Sequence, residues 1–173
     1  MKNTILEVYG PIEIPHNGDK KGSYKRISRA LAKEFWEHEE AQPLAQKQGC
    51  YIFSLRVGRG FTPWYVGKAG KTFEQESFTD HKIGHYNEVL WDGKKGTPVM
   101  FFIAQPGNRN KVSARILNEM ETHLIQSAVY KNPDLCNIKN TKNLPKWGIA
   151  GVVRGGKGRQ TVVSSSFKKM MGI

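Results

Sequence analysis

The sequence predicts an α+β fold, a small antiparallel β-sheet flanked by helices. Three observations carry this. Two apolar runs, "GCYIFSLRV" at 49–57 and "TPWYVGK" at 62–68, are separated by "GRG", a hairpin signal. A third run, "TPVMFFIA" at 97–104, is almost continuously apolar, as in a core strand. Around these lie segments whose apolar residues recur at helical spacing.

In chain order, residues 3–9 ("NTILEVY") predict a short strand ended by Gly10-Pro11. Residues 23–40 predict a helix with Ile27, Leu31 and Phe35 at i, i+4 and i+8, capped by Ser23. The hairpin follows, with Pro63 at a strand start, where a missing N–H is tolerated. Residues 78–91 predict a helix buried through Ile83, Tyr86 and Leu90, with Ser77 and Asp80 spaced as a capping box. Residues 110–131 predict the longest helix, with Leu117, Met120, Leu124 and Ala128 on one face. Beyond Pro133 the chain reads as irregular and basic.

The length of 173 residues suits one domain. Residues 1–48 are expected to elaborate a core at 49–140, with an extension at 141–173. Cys50 and Cys136 stand in no metal-like spacing, which argues against a disulfide framework or zinc ribbon. No apolar run has the ~18 residues of a membrane span. The opening "MKNTILEVYG" is too short and mixed for a signal peptide, so a cytoplasmic location is expected. The net charge is +12, and residues 141–173 hold seven lysines and arginines with no acidic side chain. The Gly-rich "RGGKGRQ" at 154–160, with Arg154, Lys157 and Arg159, is the composition of a polyanion-binding arm. On charge alone the predicted partner is nucleic acid, bound by one chain or a homodimer, with a solvated tail that only aids solubility as the alternative, and no membrane is expected.

Among polar residues, Glu121 stands out. Its helix neighbours at i−4, i+3 and i+4 are Leu117, Leu124 and Ile125, with no basic residue at i±3 or i±4. A carboxylate so placed needs a metal, a donor or a raised pKa if it is buried. Glu119, with Arg115 at i−4, reads as a solvated acid. His81 and His85 share one helix face, away from the apolar stripe, with Gly84 between them. Two of the five histidines at i, i+4 are commonly surface residues, and no further zinc ligand stands nearby. Tyr51 and Tyr65, taken singly, are ordinary strand aromatics.

The combination says more. "GCYIF", "WYVGKAG", a helix with a histidine, "ETHLI" and "PDLCN" follow in order over residues 49–137. This series resembles the GIY-YIG nuclease family. In that family a Gly-x-Tyr strand pairs with a Tyr-x-Gly strand, a helix carries Arg and often His, and a later helix carries a metal-binding Glu. Here the matching residues are Tyr51, Tyr65, His85, Glu121 and Asn137. The family's arginine lies four residues before the histidine, where this chain has His81, and "KTFEQES" looks like an inserted loop.

The resemblance implies a DNA endonuclease using Mg²⁺ or Mn²⁺ held on Glu121. It implies that Tyr51 takes the attacking water's proton, with Lys68 or Tyr65 stabilising the phenolate and His85 assisting. Asn137 would fix the site. The arginine's charge would come from His81, Lys82, or from Arg56 or Arg59 in the hairpin. Arg56, Arg59 and Lys71 would join the tail on the DNA backbone. Two other readings stay open: a catalytically decayed nucleic-acid-binding protein on the same fold, and a basic RNA-binding module that stacks bases on aromatic side chains.

Overall fold

Strand pairing organises the chain. A computed structural model describes residues 4–18, 24–137, 149, 152 and 161–172. Four strands, β1 (Glu7–Glu13), β2 (Gly49–Val57), β3 (Gly60–Ala69) and β4 (Thr97–Ala104), form one sheet in the order β1-β4-β2-β3. Every pairing is antiparallel. The α+β class is therefore as expected, and β3 is a sheet edge.

The hairpin turns at Gly58-Arg59, where Gly58 has φ +58°, a conformation that favours glycine. Pro63 lies inside β3 at a register shift, not at the strand start, and the edge position tolerates its missing N–H. Gly10-Pro11 does not end the first strand. β1 continues through it to Glu13, with a register shift between Tyr9 and Ile12, because Ile12 and Ile14 turn inward and are fully buried.

The helices are α1 (Arg29–Glu37), α2 (Phe73–Glu76), α3 (Asp80–Trp91), α4 (Ala114–Lys131) and α5 (Val162–Met171). α1 starts later than predicted. Ser28 is its cap, accepting from Leu31 N, and its buried residues are Ala32, Phe35 and Trp36. Ser23 lies outside the described residues. The expected Ser77–Asp80 box does not form: α3 starts after Thr79, Ser77 closes α2, and Asp80 is held by Arg29. "KTFEQES" is not a plain loop, since Thr72 caps α2 and Phe73 is fully buried. α5 was not foreseen. Thr161 and Ser164 form a reciprocal capping box at its start, the signal that reveals it.

Helices cover both sheet faces. Tyr51, Phe53 and Leu55 of β2 pack with α1, α2 and α3, around Phe35, Phe73, Tyr86 and Phe102. The opposite face packs Val66 and Ile52 against Ile125, Ala128 and Leu124 of α4. Ile12, Ile14 and Ile27 belong to the larger core, so the first 48 residues supply core and sheet edge to the same body. Lys47 is buried and donates to the carbonyls of Gln105 (3.2 Å), Gly107 (2.5 Å) and Arg109 (3.2 Å), which fixes the loop before α4. No helix among the described residues is long and apolar enough to cross a membrane.

Candidate active site

Period-two alternation along β3 turns Tyr65 and Gly67 toward the α3 side of the sheet and Val66 and Lys68 toward α4. At an edge strand both sets are reachable from one side. A cleft of about 390 Å³ opens there, lined by Tyr65, Lys68, Glu76, His81, Lys82, His85, Glu121 and Asn137, with Gly67, Ile125 and Cys136. Seven of the eight residues expected to form the site thus meet in one cleft. Tyr51, the eighth, lies beneath its floor and is not exposed at all.

Glu121 has a partner that the helix alone could not reveal. Lys68 Nζ lies 2.8 Å from its Oε2 and also donates to Asn118 Oδ1 at 2.7 Å. The buried face of α4 runs Leu117, Ile125 and Ala128, with Glu121 on the same side and Met120 and Leu124 at its margin. Glu119 pairs with Arg115 at 2.9 Å and is exposed, as predicted.

Lys82 enters the cleft, although a straight helix directs it well away from His81. Its ammonium donates to the carbonyl of Glu76 and lies 5.1 Å from the Tyr51 ring centroid, a cation–π distance. Burial pulls its pKa down, against the opposing pull of Glu76 and Glu121. Neither hairpin arginine lines the cleft. Arg56 pairs with Glu13 at 2.9 Å, and Arg59 is exposed in the turn. Lys71 is exposed beyond β3, its N–H donating to Glu76 Oε1. Arg154, Lys157 and Arg159 lie outside the described residues.

The phenols differ from expectation. The Tyr51 ring stacks 6.4 Å from Tyr65, and its hydroxyl donates to the Glu76 carbonyl at a long 3.4 Å. Burial pushes its pKa well above the ordinary value, and the nearby phenols and carboxylates add to this. Tyr65 is raised too, by burial first and then by Glu121. Lys68 pairs with Glu121 rather than with either phenol. Both phenols are protonated at neutral pH, and that of Tyr51 donates to Glu76. Burial also pushes the Cys50 thiol up to about 12, so it is no nucleophile.

The histidines form a defined pair. His85 Nδ1 is 3.3 Å from Glu88 Oε2, and its Nε2 is 3.1 Å from His81 Nε2. A carboxylate only accepts, so Nδ1 of His85 carries a proton. In neutral His85 the Nε2 lone pair then faces His81, which donates. His85 also stacks on Tyr65 at 5.8 Å.

Asn137 acts as a strand substitute. Its Oδ1 accepts from Val66 N at 2.8 Å and its Nδ2 donates to Val66 O at 2.7 Å. Asn132 donates to Pro63 O at 2.8 Å, and Cys136 N to Trp64 O at 2.9 Å. These bonds pin the segment after α4 along the β3 edge. Sequence reasoning missed Asn132, Glu76 and Glu88, none of which carries a local pattern that announces it.

No group of three or more His, Cys, Asp or Glu residues able to hold a metal occurs among the described residues. A closed zinc cage therefore does not fit. Glu121, one of the two carboxylates lining the cleft, does fit Mg²⁺ or Mn²⁺. Mg²⁺ keeps several waters and takes oxygen ligands from one or two carboxylates and from phosphate. Among the described residues Glu121 Oε1 makes no hydrogen bond, and Lys68 can rest on Asn118 when Oε2 is needed.

No family model, no curated protein and no solved structure matches the chain.

Proposed function

We propose that the chain is a divalent-metal-dependent DNA endonuclease with a GIY-YIG-like site. One observation carries the reading. Residues from β3, α2, α3, α4 and the segment after it, spread over positions 65–137, converge in one cleft with the groups phosphodiester hydrolysis requires.

Lys68 and Lys82 supply positive charge for the non-bridging oxygens of a phosphate in the cleft. His81 and Tyr65 add donors. When a substrate phosphate takes up the His81 N–H, the His85 Nε2 lone pair, opposite the bond to Glu88, is freed to take the attacking water's proton. Imidazole is the side chain that can do this near neutral pH. Tyr51 is no longer the assigned base, because it is covered and its proton is held. Its ring instead forms the floor on which Lys82 rests. Glu121 would hold Mg²⁺ or Mn²⁺, which supplies Lewis-acid stabilisation of charge on phosphate and leaving oxygen. The positive charge of the family's arginine is assigned to Lys82 rather than His81.

The test is incubation of purified protein with supercoiled plasmid, with and without Mg²⁺ or Mn²⁺. Nicked or linear product is expected only with metal, and Glu121→Gln is expected to abolish it while leaving DNA binding nearly intact. Binding without cleavage under any metal would favour the decayed-nuclease reading. Preference for single-stranded RNA, insensitive to Glu121→Gln, would favour the RNA-binding module.

A further inference from the structure

Beside the cleft lies a second hollow of about 930 Å³, a size typical of small-molecule sites. Cys136 lines both, so the two are contiguous. Along α3 the exposed side runs from His81 and His85 in the cleft to Glu88 and Asp92 in the hollow. Gly84 leaves this path open, with nothing within 4 Å of where its Cβ would be.

The two hollows differ in charge. The cleft carries two lysines against two carboxylates, plus two imidazoles. The hollow carries Glu88, Asp92 and Asp134 against Lys94 alone. On a chain of net charge +12, that patch repels phosphate and attracts hydrogen-bond donors. Its walls include two tryptophans. Trp91 is 65% exposed and stacks on Tyr24 at 5.7 Å. Trp64 is 8% exposed, and its indole N–H has no hydrogen-bond partner among the described residues. Lys94 lies 5.3 Å over the Trp64 ring on a flexible stem, held by an exposed ion pair to Asp92 at 3.2 Å. That cover is easily displaced.

We propose that this hollow is a subsite for one unpaired guanine base of the DNA strand whose phosphate occupies the cleft. The proposal rests on the nucleic-acid reading above. Aromatic faces stack any base. Guanine alone presents two adjacent donors, N1–H and the N2 amino group, to a carboxylate, and O6 and N7 acceptors to an ammonium. Both kinds of partner stand in the hollow, in Asp92, Asp134 and Lys94. Thymine offers a single donor, and adenine and cytosine place an acceptor next to theirs, which a carboxylate repels.

The test is equilibrium binding in EDTA of labelled oligothymidylate eight-mers with a central guanine, inosine, adenine, cytosine or abasic site. Cleavage is not required. Guanine is expected to bind about tenfold or more tighter than the abasic site, the scale of a good bidentate contact with stacking. Inosine, without the N2 amino group, should lose much of that. Asp92→Asn with Asp134→Asn should remove the guanine preference while the oligomers still bind. Trp91→Ala, at an exposed position outside the core, should reduce the advantage of every base over the abasic site. Equal binding of all oligomers by wild type overturns the subsite and leaves the nuclease reading standing. A guanine preference that survives the double substitution also overturns it. Failure of every oligomer to bind at low salt overturns the nucleic-acid reading and the subsite together.

Discussion

Gly67→Ala tests the packing beneath the cleft. A Cβ on Gly67 would stand 2.3 Å from both Cζ and the hydroxyl oxygen of Tyr51 and 2.7 Å from Cε2. Ordinary contact begins near 3.4 Å, so the ring must move by about an ångström. It has little room. Tyr51 is fully buried, with Phe73 edge-on at 6.4 Å, Tyr65 stacked at 6.4 Å and Lys82 over its face. Overpacking of this kind costs about 1–3 kcal/mol. Loss of glycine's unfolded-state freedom returns about 0.4–1 kcal/mol. The net spans about 0–2.6 kcal/mol and centres on about 1.3 kcal/mol of destabilisation, or roughly 3–5 °C in Tm for a chain of this length. Thermal denaturation followed by circular dichroism measures it. Gly84→Ala is the control. It is an exposed helical glycine with nothing within 4 Å, and should gain about 1 kcal/mol. If Gly67→Ala melts at or above the wild-type temperature, the Tyr51 ring is not seated on Gly67 and the floor of the cleft is misassigned.

His85→Ala is expected to lower the cleavage rate by roughly 10²–10⁴-fold, the range for a lost general base, while Tyr51→Phe changes it only severalfold. The reverse order, read from single-turnover rates, would return the base to Tyr51 and require the ring to be uncovered when DNA binds. Lys82→Met tests the buried cation. Its folded pKa is lowered, chiefly by burial, so between that value and the ordinary lysine value the unfolded chain binds more protons. Wild-type stability gains from this group as pH rises through that window. At neutral pH Lys82→Met should therefore be as stable as wild type or more so, an advantage that fades toward alkaline pH, and it should bind DNA less tightly. Denaturant melts at pH 7 and pH 10 measure this. A less stable variant at pH 7 would show that the bond to Glu76 and the contact with Tyr51 outweigh desolvation.

Local sequence determined what depends on period and turn chemistry. The Gly58-Arg59 hairpin, the continuous apolar run of β4 and the Ile83/Tyr86/Leu90 stripe of α3 were legible because each is written within a dozen residues. So were the strand placements of Tyr51 and Tyr65, and the inward side of Glu121. Element ends were less legible. Ser23 and Ser28 both suit a cap, and only packing of Ala32, Phe35 and Trp36 chooses between starts. Gly10-Pro11 reads as a stop until burial of Ile12 and Ile14 carries the chain past it. What tertiary structure alone decided is how distant groups meet. The partner of Glu121 is Lys68, 53 positions earlier, because β3 is a sheet edge whose two faces open on one cleft. The same edge brings Lys82 and His85 from one side and Glu121 from the other. Burial of Tyr51, which removes it as an exposed base, follows from Gly67 standing opposite it in register, a pairing across strands that no local pattern records.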